Sequence, residues 1–166
     1  MHGVYRVLTG ISLAFLLLAP PVHAERMTLD YQAVMHVRSS DSFKVLDDEN
    51  HIVGIAKFRG LAIFPDDVVV VHRYEGWFDL IRGSGKFHGH ALWTFDDGSK
   101  LEAAYDGVAR ASRDGSIEVS AEFRDFTGTG RFENVSGSGS FAGRRLDDFR
   151  HGGSTHVKGS LVLDMK

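Results

Sequence analysis

The sequence predicts an all-β protein whose strands form an eight-stranded antiparallel barrel. Apolar and polar residues alternate along most of the chain after residue 24, which is the period of a half-buried strand. Glycine rather than proline separates these segments, because the chain has 19 glycines and 3 prolines, and only Pro65 follows residue 24. No long stretch of this region has the helical period.

The first 24 residues have the organisation of a secretory signal peptide. One charged residue, Arg6, precedes an apolar run from Ile11 to Leu18, and small residues lead up to Ala24. The run is short for a membrane-spanning helix, and no second apolar run follows it. We therefore predict a signal peptide at residues 1–24, a single barrel domain at residues 25–166, and a secreted or periplasmic protein without membrane insertion.

Three strand-like segments follow the signal peptide. One face of the first segment carries Met27, Leu29, Tyr31, Ala33, Met35 and Val37. One face of the second carries Ile52, Ala56, Phe58, Ala62 and Phe64, and a turn at Pro65-Asp66-Asp67 ends it. The third, from Val68 to Ile81, is a long strand or a bent pair, in which Val68, Val70, His72, Tyr74 and Phe78 are predicted to face inward.

The remaining strands are joined by tight turns. Asp97-Gly98 and Asp114-Gly115 are typical of two-residue hairpins, because such turns need a positive φ that glycine adopts easily. Alternating apolar residues occupy the segments around them and the last segment of the chain. The residues predicted to face inward are Phe87, Ala91, Trp93, Phe95, Leu101, Ala103, Tyr105, Ala109, Ile117, Val119, Ala121, Phe123, Val157, Leu161 and Leu163.

The order of the segments favours a closed barrel. Consecutive hairpins form a meander, and a meander of about eight strands closes to remove its exposed edges. A sandwich of two sheets is the alternative. The barrel is preferred because small residues such as Gly54, Gly89 and Gly107 interrupt the apolar faces, which permits strong curvature and leaves space inside.

A glycine-rich segment from Thr127 to Phe141 breaks the alternation, and we expect a turn or short helical plug with Phe132 and Phe141 packed inward. Gly128-Thr129-Gly130-Arg131-Phe132 and Gly137-Ser138-Gly139-Ser140-Phe141-Ala142-Gly143 resemble the late-strand signature of allene oxide cyclase-like and dirigent-like barrels, a group that includes uncharacterised exported bacterial proteins. The resemblance covers about Ile52 to Leu163. It implies a calycin-like barrel, a lumen for an apolar small molecule, and association into oligomers.

Composition excludes several classes of function. The chain has no cysteine, so it holds no disulfide, thiolate metal site or cysteine nucleophile. The formal net charge of −3 and the scattered basic residues argue against nucleic-acid binding. His88 and His90 share a strand face, but we expect them to point to solvent. We predict no metal site and no cofactor.

The polar groups predicted to face inward are the candidate site residues. His72 and Tyr74 are candidates for orienting a ligand or transferring a proton, although a buried histidine is more often part of the core. The predicted ligand-binding set is Tyr31, His72, Tyr74, Trp93, Tyr105 and Phe123. We expect Tyr74, Trp93, Tyr105 and Phe123 to line an enclosed apolar space.

Three hypotheses about function follow from this sequence. The first is an exported barrel that binds an apolar small molecule in its lumen. The second is a structural or interaction protein with a solid core. The third, which the resemblance implies, is a cyclase or isomerase that acts on a hydrophobic intermediate. Whether the protein is an enzyme is left open, because a fold alone does not define a reaction.

Overall fold

The computed structural model describes residues 25–165. The predicted signal peptide, residues 1–24, lies outside the described residues. Within the described part of the chain, no helix is long and apolar enough to cross a membrane.

Eight antiparallel strands form one closed barrel, and each strand pairs with the next strand in the chain. The strands are β1 (Glu25–Val45), β2 (Asp48–Ile63), β3 (Val69–Ile81), β4 (Ser84–Thr94), β5 (Lys100–Ala111), β6 (Ile117–Thr129), β7 (Ser136–Arg145) and β8 (Thr155–Met165). β8 closes the barrel on β1, with Glu25 opposite Met165 and Met35 opposite Thr155. The predicted barrel is therefore confirmed, and the two-sheet sandwich is excluded.

Alternation along the strands separates the interior from the surface, as the sequence predicts. The inward residues of β1, for example, include Tyr31, Ala33 and Met35, each at most 3% exposed. Val68 is an exception, because it precedes β3 and is 40% exposed instead of facing inward. The buried apolar side chains of residues 25–165 form the core inside the barrel.

Two strands are longer than their alternation indicates. The pairing of β1 with β2 shifts register between Val37 and Ser39, and β1 then continues to Val45 with both faces mostly exposed. In β6, Asp125 has a positive φ of 53°, opposite the register shift at Glu102 and Ala104 of β5. Such a bulge interrupts the two-residue period. The alternation therefore does not show that β6 continues past Phe123 to Thr129.

The glycine-rich segment contributes to three elements. It supplies the end of β6, a short 3₁₀ helix at Gly130–Phe132, and the first part of β7. Phe132 and Phe141 are 2% and 6% exposed, so both pack inward as expected. The helix directs the ring of Phe132 into the lumen at one end of the barrel, where it packs against Phe95.

Candidate functional site

The two ends of the barrel differ. At the end that holds the β2–β3, β4–β5 and β6–β7 connections, aromatic rings fill the lumen. Phe95 packs on Phe132 with ring centroids 4.8 Å apart and on Phe64 at 5.8 Å. We call this the plugged end. The opposite end, which holds the β7–β8 connection and the long β1–β2 hairpin, is called the open end.

A layer of aromatic rings crosses the middle of the barrel. His72 stacks on Trp93 with centroids 4.6 Å apart and planes 16° apart, and Trp93 contacts Phe123 at 5.2 Å. Tyr31 and Tyr74 complete the layer and share a hydrogen bond of 3.2 Å between their hydroxyl oxygens. These contacts bring five of the six predicted site residues together, but as packed core.

His72 is fully buried and uncharged at neutral pH. Its Nδ1–H donates a hydrogen bond to the carbonyl oxygen of Leu92 at 3.1 Å. Its Nε2 has no hydrogen-bond partner among the described residues. Burial lowers the pKa of His72 to about 3, against a smaller opposing effect of the Leu92 bond. The ring of His72 contacts core rings and no open space. This position argues against a role in proton transfer to a ligand.

The three buried tyrosines are also neutral. Burial is the main cause that raises the pKa of Tyr31, Tyr74 and Tyr105 above the usual value of a phenol. Tyr105 packs edge-on to Tyr74 with centroids 5.5 Å apart, and its ring lies on the side of the layer that faces the open end. Tyr74 and Tyr105 thus form the floor of the space above them.

An apolar cavity of about 90 Å³ lies between this floor and the open end, and it is open to solvent on one side. Its lining residues are mostly aromatic and aliphatic and come from all eight strands and one loop. They include Met35, Ala56, Phe58, Tyr74, Phe78, Leu80, Phe87, Tyr105, Ala109, Val119, Phe141, Arg145, Phe149, Thr155 and Val157.

The cavity is nearer to the open end than the sequence predicts. Of the six predicted ligand-binding residues, Tyr74 and Tyr105 line it. Tyr31, His72, Trp93 and Phe123 are buried below them, where contacts between their rings leave no comparable space. Alternation identifies which side chains face inward, but it does not show how the rings fill the lumen.

Inward-facing glycines illustrate the same difficulty. A Cβ added at Gly107 would lie 2.4 Å from the ring of Phe87, and one added at Gly54 would lie 2.7 Å from the ring of Phe78. The space that these glycines leave is therefore occupied by rings of neighbouring strands. Glycine in these strands allows aromatic packing, and only part of the expected free volume remains.

Phe149, which partly covers the cavity, lies outside the predicted ligand-binding set. Phe149 begins a 3₁₀ helix at Phe149–His151 in the β7–β8 loop. Its ring meets Phe58 and Phe78 edge-on, with centroids 5.6 and 5.5 Å apart. The loop is tied down by a hydrogen bond from the Val37 amide to the Gly152 carbonyl at 2.7 Å. No periodic pattern in the sequence marks this contact, because Phe149 lies outside the strands.

Arg145 is a second cavity residue outside the predicted ligand-binding set. It follows Phe141 and Gly143 in the inward phase of β7 and is half-buried at the cavity wall. Its guanidinium carbon lies 4.3 Å from the centroid of the Phe149 ring. The alternation of β7 could have shown that Arg145 faces inward and Arg144 outward, although the two adjacent arginines read as a simple surface pair.

The surface histidines are not gathered into a metal centre. His88 and His90 are exposed, with His88 stacked on the exposed Trp77 and His90 Nδ1 lying 3.4 Å from Glu102. Within residues 25–165, no three histidine, aspartate or glutamate side chains come together as metal ligands.

Fold and cavity together define a class of protein: an antiparallel β-barrel whose lumen is plugged at one end and hollow and apolar at the other. The barrel is similar to the solved structure of a pterocarpan synthase dirigent protein, GePTS1, with a TM-score of 0.53 and 15% sequence identity. The match covers 92% of this chain and 98% of that chain. The chain thus has a dirigent-like fold, and at this identity the likeness is one of fold alone. No protein-family model and no curated protein matches the chain.

Proposed function

We propose that this protein is an exported barrel that binds an apolar small molecule in the cavity at its open end. One observation carries the proposal: inward-facing rings fill the plugged end and the middle of the lumen, yet leave an apolar cavity that opens to solvent. Ligand sites are typically concave and apolar with a few polar groups, and this cavity has that character. We also propose that the protein is one of the exported bacterial allene oxide cyclase-like proteins.

The size of the cavity limits the ligand. A volume of about 90 Å³ is below the roughly 300–1,000 Å³ of pockets for drug-sized molecules. The buried part of the ligand is therefore about one ring or a short aliphatic chain, and the rest of the molecule lies at the mouth near Phe149. Binding is favoured over a cyclase activity because His72, the strongest candidate for proton transfer, does not line the cavity.

Titration with 3-phenylpropan-1-ol, a neutral molecule with one ring, tests this proposal. We expect a dissociation constant on the order of 1 mM, as is usual for a ligand of this size. Amide NMR shifts should change around Tyr105 and Val119 and not around Phe132 at the plugged end.

A pair of matched variants locates the binding site. Ala109→Phe adds a ring at the cavity wall and should abolish binding while the barrel stays folded. Ala142→Phe adds the same ring on the exposed face of β7 and should bind like the wild type. If the alcohol does not bind, or if both variants bind it equally, the cavity is not a ligand site and a solid-core interaction protein is the better interpretation.

A further inference from the structure

Arg145 differs from its two nearest arginines along the chain, Arg144 and Arg150. Arg144 forms an ion pair with Asp114, and its Nε donates to the Ser116 hydroxyl at 2.7 Å. Arg150 forms an ion pair with Asp148 at 2.8 Å. Arg145 makes no ion pair with the described carboxylates, and its buried Nε has no hydrogen-bond partner among the described residues.

A buried Nε–H donor without a hydrogen-bond partner is an energetic cost. Burial lowers the pKa of Arg145, and the more distant charges of Asp148 and Asp147 oppose this effect only in part. The guanidinium nevertheless stays charged, because arginine does not lose its proton in proteins. Its stacking on Phe149 satisfies one face of the group but none of its N–H donors.

The nearby carboxylates have other partners. Asp148 accepts hydrogen bonds from the amide and the guanidinium of Arg150, which lower its pKa to about 2. Asp147 accepts from the amide and the hydroxyl of Ser154. Neither acid is therefore free to move to Arg145 without the loss of bonds that hold the β7–β8 loop.

Arg145 also supplies what the cavity wall otherwise lacks. Among the described residues that line the cavity, it is the one charged group. Thr155 already donates its hydroxyl proton to the Gly153 carbonyl at 2.8 Å, and the Tyr74 hydroxyl is bonded to Tyr31. An oxyanion at the mouth would meet unused N–H donors in a planar fork, which is the geometry that carboxylates prefer.

We propose that the cavity selects an organic anion, with an apolar body inside the barrel and a carboxylate or similar oxyanion head paired with Arg145 at the mouth. This inference rests on the proposed binding function and adds the class of ligand. The body displaces water from the walls around Phe58, Phe78 and Phe87, and the head compensates the unpaired guanidinium.

Comparison of 3-phenylpropanoate with 3-phenylpropan-1-ol tests the inference, because the two probes share a body and differ in the head. We expect the carboxylate to bind the wild type at least about tenfold more tightly at low salt, as charge-assisted hydrogen bonds do. Added salt should weaken binding of the carboxylate and leave that of the alcohol nearly unchanged.

Three variants assign this preference to Arg145. Arg145→Gln should bind the two probes equally, and Arg145→Lys should retain part of the preference because it keeps the charge but not the fork. Arg113→Gln removes a charge from an exposed side chain in the β5–β6 turn, at the same end of the barrel, and should keep the full preference.

The outcomes separate this inference from the proposed function. Equal binding of both probes by the wild type overturns the anion selectivity and leaves apolar binding in place. A preference that Arg113→Gln loses as much as Arg145→Gln overturns the assignment to Arg145, because the general charge of this end would then explain it. Failure of both probes to bind overturns the proposed function and the inference together. The wild-type comparison decides the selectivity even if a variant at Arg145 does not fold.

Discussion

At the scale of single residues, Arg145 and His72 are both polar groups that face the interior, but their surroundings differ. Arg145 lies at the rim, half-buried, where solvent or a ligand can reach its donors. His72 is stacked on Trp93 in the middle of the barrel and is 0% exposed. The first position suits recognition, whereas the second affects stability and its dependence on pH.

We predict that His72 destabilises the folded protein as the pH falls. Its pKa is about 3 in the fold, compared with an ordinary value of 6.5. Between these values the unfolded chain binds a proton that folded His72 does not bind, so the free energy of unfolding decreases as the pH falls through this window. The expected contribution is about 1.4 kcal/mol per pH unit.

The variant His72→Asn isolates this contribution. An asparagine amide can take the place of Nδ1–H and donate to the Leu92 carbonyl, but it does not titrate. Urea unfolding of both proteins between pH 6.5 and pH 4.5 should show that the variant loses less stability than the wild type, since the exposed groups are common to both. Parallel pH curves would show that the pKa of His72 is the same in the folded and the unfolded protein, which would contradict this prediction.

At the scale of elements, the strands were predictable because one face of each strand is buried and the other is wet. The prediction of where a strand ends fails if the period changes, as at the Asp125 bulge, or if both faces are exposed, as in β1 beyond Ser39. The loop from residue 146 to 154 was not predictable, because hydrogen bonds and one aromatic contact position it rather than any periodic pattern.

We predict that Phe149 holds the β7–β8 loop over the cavity and limits ligand exit. Phe149→Ala removes a half-buried ring that contacts Phe58, Phe78 and Arg145. Full burial of phenylalanine is worth about 3–5 kcal/mol in such a substitution, so we expect a loss of about 1–2 kcal/mol here. Dissociation of 3-phenylpropan-1-ol should also become faster, which NMR line shapes would measure.

Phe43 provides the matched control for Phe149. It is 68% exposed on the β1–β2 hairpin, so Phe43→Ala should change the free energy of unfolding by less than about 0.5 kcal/mol and leave ligand exit unaffected. If Phe149→Ala has as little effect as Phe43→Ala on both measurements, the loop does not act as a cover.

At the scale of the whole molecule, every strand of the closed barrel is paired on both sides, including β1 with β8. The pairing of the strands therefore does not depend on which strand comes first in the chain. The site is harder to predict than the fold for a related reason: the fold follows from alternation within each strand, whereas the cavity depends on how rings from seven strands share one lumen. Tyr74 and Trp93 have the same inward phase in the sequence, yet Tyr74 lines the cavity and Trp93 is packed below it.

Closure also predicts that a circular permutant folds. Glu25 and Met165 are paired neighbours on β1 and β8, so a short glycine–serine linker can join Met165 to Glu25 without distortion. New ends between Asp47 and Asp48 fall in the turn of the β1–β2 hairpin, next to Leu46, which is 91% exposed. Exposed turns tolerate new termini, so we expect a loss of stability on the order of 1 kcal/mol.

A second permutant, opened between Gly159 and Ser160, serves as the comparison. Gly159 pairs with Tyr31 of β1 and Phe141 of β7, so a break there interrupts two ladders and the packing of the aromatic layer. We expect this protein not to fold cooperatively, whereas the Asp48 permutant should unfold in one transition and still bind 3-phenylpropan-1-ol. Equal behaviour of the two permutants would contradict the conclusion that strand pairing around the closed ring, rather than chain order, holds the cavity in shape.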